Sequence, residues 1–312
     1  MPSSIRTGWV FLFLSAGAGL SGASGCSSDR PPRIEDYARA MAPVPACILP
    51  LPSRTHGAGQ TMRNLTEDQY WLLVFPAYDA QNHKLATNAL TCTGSKVFDD
   101  PVFAGGTTRG TPIDVQSGDA MFGNGGDRVR IVWLRTHRWP DGSEAGPMAL
   151  VRAKEDFAEV YAVGAYRRSN GQLTLQAERL GTEVLITATD NGCEGQAKTS
   201  ACETNVSLFL PRFGKLVRLT TLVTEKRAFA TGAEPGVMGQ VAYQLTASPQ
   251  YTPDGIKLFE QVNATDPAGR LVHKTELERM LVLHDGTLEQ GDSLWGKLYP
   301  GGAPSPAKQY MS

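Results

Sequence analysis

The sequence predicts an all-β protein, a predominantly antiparallel sheet arranged as a sandwich, a barrel or a curled sheet, with a short N-terminal helix. Three observations carry this. Short apolar runs recur about every ten to fifteen residues, turn-forming clusters separate them, and no long helical period interrupts the series. No internal repeat suits a propeller.

The short helix is expected at the front of the mature chain. "SSDRPPR" reads as a polar leash, and "RIEDYARAMA" (Arg33 to Ala42) places Ile34, Tyr37, Ala38 and Met41 at helical spacing behind Pro32. "PVPACILPLP" ends that helix and runs extended. "YWLLVF" (Tyr70 to Phe75) stops at Pro76 and reads as a buried strand, although Thr66 and Gln69 have capping-box spacing. Residues 93 to 127 are rich in glycine and threonine and read as irregular loop.

The clearest strands follow. "RVRIVWLRTHR" (Arg128 to Arg138) runs to the turn residues Pro140-Asp141-Gly142, and "MALVRA" (Met148 to Ala153) returns from it. "EVYAVGAYRR" (Glu159 to Arg168) meets Ser169-Asn170-Gly171, a strong hairpin signal that "QLTLQAERL" (Gln172 to Leu180) answers. "TEVLITAT", "NVSLFL", "KLVRLTTLV", "QVAYQLTA", "IKLFEQV" and "ERMLVLH" continue the series to Asp285-Gly286. Alternation puts Leu173, Leu175 and Ala177 with Val184, Ile186 and Ala188 on one face. Thr174, Gln176 and Glu178 take the other, giving one dry and one wet side. The final residues look like a disordered tail. The expected organisation is therefore 1–25 leader, 26–66 tether and short helix, 67–298 β domain and 299–312 tail.

The leader has the shape of a signal peptide. Residues 1 to 25 carry one charge, Arg6, followed by the apolar block "GWVFLFLSAGAGL" and small residues. That block is shorter than the roughly 20 apolar residues a membrane-spanning helix needs, and its glycines weaken any helix. The exit "ASGC" (Ala23 to Cys26) resembles the lipobox of bacterial lipoproteins, with Ala23 where leucine is usual. The resemblance implies a diacylglyceryl thioether on Cys26, cleavage before it and acylation of the new amino terminus. Ser27 behind it implies outer-membrane sorting. Ala23-Ser24-Gly25 also suits an ordinary signal peptidase, which cuts the same bond and leaves Cys26 without lipid.

Five cysteines are present: Cys26, Cys47, Cys92, Cys193 and Cys202. An exported chain with an odd number leaves one thiol over. Acylation of Cys26 leaves four, which allow three pairings. Sequence proximity favours Cys193–Cys202 and, by remainder, Cys47–Cys92, worth roughly 3 and ~4 kcal/mol by loop closure. A four-cysteine zinc site lacks its paired knuckles. Two or more acyl chains anchor a protein stably, and no second apolar run approaches spanning length. With a net charge of −1 and no lysine- or arginine-rich run, nucleic acid is not an expected partner.

Catalytic constellations are sparse. His137, Asp141 and Ser143 are the ingredients of a nucleophilic triad, but three residues of one hairpin seldom hold a base between nucleophile and acid. Ser305 and Lys308 have S-x-x-K spacing in a proline-bound tail rather than at a helix start. His56, His83, His137, His273 and His284 are scattered without a metal-ligand spacing, and His273 with Glu276 reads as a surface pair. "GNGGD" (Gly123 to Asp127) precedes a strand, not the helix a phosphate loop requires. Trp71, Trp133, Trp139, Trp295, Tyr161, Tyr166 and Tyr243 fit core filling better than a cleft lining. No catalytic, cofactor or metal site is therefore assigned. The expectation is an outer-membrane lipoprotein, periplasmic or surface-facing, with a binding or structural role toward a protein, glycan or lipid. An exported hydrolase of envelope esters or glycans, and a lipid-carrying half-barrel, are the alternatives.

Overall fold

The computed structural model describes residues 45–51, 65–86, 88–105, 112–118, 129–154, 156–169, 171–181, 183–194, 201–231, 239–284, 286–289 and 291–299. The leader, Cys26, the expected helix at 33–42, the glycine run at 123–127, His56, Ser305 and Lys308 lie outside them. Among the described residues the chain is an all-β protein in which helices are few and short.

The strands run β1 (Cys47–Pro50), β2 (Asp114–Gly118), β3 (Val129–Arg135), β4 (His137–Arg138), β5 (Glu144–Ala153), β6 (Phe157–Arg168), β7 (Gln172–Leu180), β8 (Glu183–Glu194), β9 (Ala201–Arg212), β10 (Lys215–Thr231), β11 (Gln240–Thr252), β12 (Gly255–Thr265), β13 (Leu271–His284) and β14 (Thr287–Glu289). One sheet links them. Its main path is β14-β13-β12-β11-β10-β6-β5-β3-β2, with β7-β8-β9 branching from β10 and β1 added beside β6. Among the described residues every strand pairing is antiparallel except the parallel bridge between β6 and β10 at Val163 and Lys215. There a Cβ on Gly164 would sit 2.4 Å from Leu216 O, so only glycine lets the two backbones meet.

The branch at β10 follows from its irregularities. Register shifts between Arg218 and Thr220 and between Val223 and Glu225 bend the strand, as bulges do. Its first part pairs with β9, and its last residues pair with β11 over Glu225 to Thr231. The strands from β2 round to β7 consequently curl on themselves. Their ends meet at Gly118, whose Cβ position lies 2.5 Å from Leu175 O.

Four apolar layers result. Inside the curl, Ile131, Trp133, Met148, Leu150 and Tyr166 meet Leu175, Val184, Ile186, Ala188 and Phe209. On the outer face of β3, β5 and β6 packs helix α1 (Glu67–Val74) with two 3-10 turns, Val97–Asp99 and Pro101–Phe103. The outer face of β8 and β9 packs Leu185, Leu208 and Leu210 against Ile256, Leu258 and Leu281 of the later strands. The dry face of β11 and β12 is finished by helix α2 (Leu294–Leu298), through Leu294 and Trp295.

Leu173, Leu175, Ala177, Val184, Ile186 and Ala188 do share one face. The expected wet second face fails at β8, however, because Leu185 and Thr187 on its other side are buried beneath the later strands. Buried-on-both-faces strands also explain why β3 and β5 read as continuous apolar runs. Clean alternation belongs to β11 and β12, whose second face is open.

Three local expectations are corrected. Tyr70 to Phe75 is not a strand, since α1 covers nearly all of it. Thr66 Oγ1 accepts from Gln69 N while Gln69 Oε1 accepts from Thr66 N, a completed capping box that decides a run whose apolar pattern fits either state. And β6 and β7 do not form a hairpin: β6 pairs with β1, β5 and β10, and β7 with β8. The connection is held elsewhere, because Ser169 N and Oγ both donate to Asp190 Oδ2 at 2.6 Å and Gln172 N donates to Asn191 Oδ1 at 3.0 Å. Those bonds tie the turn to the end of β8. The loop read over 93–127 also contains order, in the two 3-10 turns and β2.

Candidate functional site

The hairpin turns of β7–β8, β9–β10, β11–β12 and β13–β14 come together at one end of the sheet. Between them lies an open groove of about 760 Å³. Leu180, Leu210, Val217 and Leu283 give it apolar walls, Arg212, Glu183 and Asp254 give it charge, and Phe213 stands among its lining residues. Arg212 Nη2 and Glu183 Oε1 pair at 2.6 Å. None of the described residues that line the groove is a histidine.

Phe213 is the unusual residue. Arg212 pairs directly with Lys215, leaving Phe213-Gly214 as a two-residue hairpin turn. Both residues have positive φ, +48° and +78°, the pattern of a type I′ turn that favours asparagine and glycine. A left-handed phenylalanine costs about 1 to 2 kcal/mol. Its side chain recovers none of that by packing, being 101% exposed. The sequence "PRFGK" carries no Asn-Gly or Asp-Gly signal, so this turn was not legible in it.

His137, Asp141 and Ser143, the three ingredients set aside as a triad, are near one another in the hairpin and are not joined as one. His137 is 1% exposed, with its ring 4.8 Å from Phe103 and 5.9 Å from Trp139. Burial pushes its imidazole down to about 4. Its Nδ1 lies 2.7 Å from Thr136 Oγ1. Ser143 Oγ donates instead to Asp141 Oδ1 at 2.6 Å and accepts from Arg167 Nη2 at 2.9 Å. Asp141 thus shapes the turn, Gly142 closes it, and the serine proton goes to the acid directly rather than to a base.

Beside this turn Glu144 is 2% exposed among three arginines. Arg135 Nη1 and Arg138 Nε each reach it at 2.7 Å, and Arg168 Nε reaches it at 3.1 Å. Burial alone would raise its carboxyl, but the hydrogen bonds from Arg135, Arg138 and Arg168 prevail and hold it at about 2. Arg167 stacks over Trp139 at 3.9 Å and Arg168 lies over Trp133 at 5.4 Å. The arrangement is a clamp across β3, β4, β5 and β6 in which one buried carboxylate gathers three guanidiniums, Arg135 being paired with Asp114 as well.

The remaining histidines stand apart. His83 Nδ1 lies 3.2 Å from Asp68 Oδ1 and 3.1 Å from Tyr78 Oη, on an exposed bend. His273 does not pair with Glu276: its Nε2 meets Thr275 Oγ1 at 2.7 Å, and Glu276 pairs with Lys274. His284 is exposed at the end of β13. The aromatic residues mostly fill the core, with Trp71, Trp133, Tyr166 and Tyr243 at 2% exposure or less.

Cys47 and Cys92 form a disulfide, fixing β1 to the segment behind α1. Cys202 is also disulfide-bonded, and Cys193 is the residue directly opposite it in the pairing of β8 with β9. Among the described residues no helix is long and apolar enough to cross a membrane, and no group of acidic, histidine and cysteine side chains assembles to hold a metal. Family models, curated proteins and solved structures give no match to this chain.

Proposed function

We propose that the chain is an exported lipoprotein of the bacterial envelope, held at the membrane by lipid on Cys26, whose β body has a binding or structural role. The observation that carries this is the pairing of thiols. Cys47–Cys92 and the bonded Cys202 suit an oxidising compartment outside the cytosol. With Cys193, which stands opposite Cys202 in the strand pairing, taken as its partner, Cys26 directly behind the leader is left for acylation. Outer-membrane sorting belongs to the same proposal and rests on Ser27 alone.

The body supports a binding role over the two alternatives. The interior of the curl is filled by Ile131, Trp133, Met148 and Leu150, all at 0% exposure, which favours a packed scaffold over a lipid carrier. The groove sets the apolar side chains of Leu180, Leu210, Val217 and Leu283 beside the charged Arg212, Glu183 and Asp254, a mixture that suits recognition of a partner.

Metabolic labelling with palmitate tests the reading. The wild-type chain takes up label in its native host and fractionates with membranes, and Cys26→Ser takes up no label. An unlabelled, fully soluble wild type overturns it.

A further inference from the structure

We infer that the turn Arg212-Phe213-Gly214-Lys215 is a membrane-contacting finger, which places Phe213 at the headgroup boundary of an anionic phospholipid bilayer. The inference deepens the lipoprotein reading and rests on it for the orientation of the body.

Three features converge on this turn. Phe213 is fully exposed and held in a left-handed conformation that asparagine or glycine would adopt without strain, so neither packing nor turn formation accounts for an aromatic residue there. Cations flank it on both sides: Lys215 is exposed, and Arg212 is 43% exposed although paired with Glu183. An apolar tip between basic side chains suits the interface of an anionic leaflet, where the ring enters the acyl boundary and the cations meet phosphates.

The third feature is position. A Cβ on Gly214 would sit 3.4 Å from the Ala46 Cβ and 3.8 Å from Thr93 Cγ2. Ala46 belongs to the first described stretch, residues 45–51. Its N–H donates to Val160 O at 2.8 Å, and the next residue is bonded to Cys92. Ile48, two residues on, is 60% exposed. The finger thus lies beside Ala46 and the exposed Ile48, and on the lipoprotein reading this end is the one we take to face the bilayer. Val217, also exposed, extends the apolar surface from the tip into the groove.

Vesicle binding tests this without help from the acyl chains. The exported chain carrying Cys26→Ser, purified after leader removal, is sedimented with vesicles of phosphatidylcholine containing phosphatidylglycerol and with phosphatidylcholine alone. It binds the anionic vesicles, more weakly as salt rises. Adding Phe213→Asn lowers that binding about tenfold. Adding Arg212→Ala with Lys215→Ala removes the preference for anionic lipid. Phe213→Asn suits the turn, so its urea midpoint is equal to or above that of its parent, which excludes unfolding as the cause. Equal binding with and without Phe213 overturns the inference. So does an absence of vesicle binding, or self-association of the chain that Phe213→Asn abolishes. Each of these leaves the palmitate result on Cys26 standing by itself.

Discussion

Arg279 on β13 donates to Glu260 Oε1 on β12 through Nε at 3.1 Å and Nη2 at 2.7 Å, deep in the dry face of the later strands. The other carboxylate oxygen accepts from Leu294 N, the first residue of α2, at 2.8 Å. One acid thus closes a buried ion pair and seats the helix that covers Tyr243 and Val262.

Removing that acid should release the helix. Glu260→Ala leaves Arg279 buried without a countercharge and is expected to cost about 3 to 5 kcal/mol. Hydrogen exchange in α2 rises and Trp295 fluorescence shifts to the red, well before the strands of the curl are affected. Protection in α2 equal to that of the wild type would deny Glu260 this role.

The bridge between Cys47 and Cys92 closes a loop with a sequence separation of 45. Loop-closure entropy gives about 4 kcal/mol for a ring of this length. Cys47→Ser with Cys92→Ser is therefore expected to lower the unfolding free energy by about that amount, measured by urea titration in the absence of reductant. Peptide mapping of the oxidised chain is expected to return Cys193 joined to Cys202. A mixed pattern of bridges would contradict the pairing of β8 with β9.

Acid should destabilise the fold in two steps. The imidazole of His137 is depressed to about 4 from 6.5, so the unfolded chain takes up a proton first and stability falls as pH drops from 6.5 to about 4. Glu144 is depressed from 4.5 to about 2, so the stability it contributes is complete above 4.5 and is lost as pH falls toward 2. At about 1.4 kcal/mol per pH unit, each step amounts to about 3 kcal/mol. His137→Phe, which keeps an aromatic ring among Phe98, Phe103 and Trp139, should abolish the upper step alone. Urea midpoints measured across this range decide it, and an unchanged upper step in His137→Phe would refute the assignment.

What the sequence made legible is what alternation and turn residues encode locally. The strands β11 and β12 alternate because one face is wet, and Pro140-Asp141-Gly142 turns the chain where its chemistry says. Elements decided by distant partners were hidden. The run at Tyr70 to Phe75 is too short for its period to distinguish helix from strand, and the caps at Thr66 and Gln69 settle it. Asn170-Gly171 signals a hairpin, yet Asp190, 21 residues away from Ser169, captures the turn for another strand. At the groove, Leu180, Phe213 and Leu283 come from three separate hairpins, and no local pattern marks them as neighbours.

Whether the sulfur of Cys26 carries lipid is decided by mass spectrometry of the amino-terminal peptide from protein purified out of its native host. The expected peptide begins at residue 26, with a diacylglyceryl group on the thiol and a fatty acyl group on the amine. A peptide that still bears the leader, or one that begins with an unmodified Cys26, would contradict the lipoprotein reading.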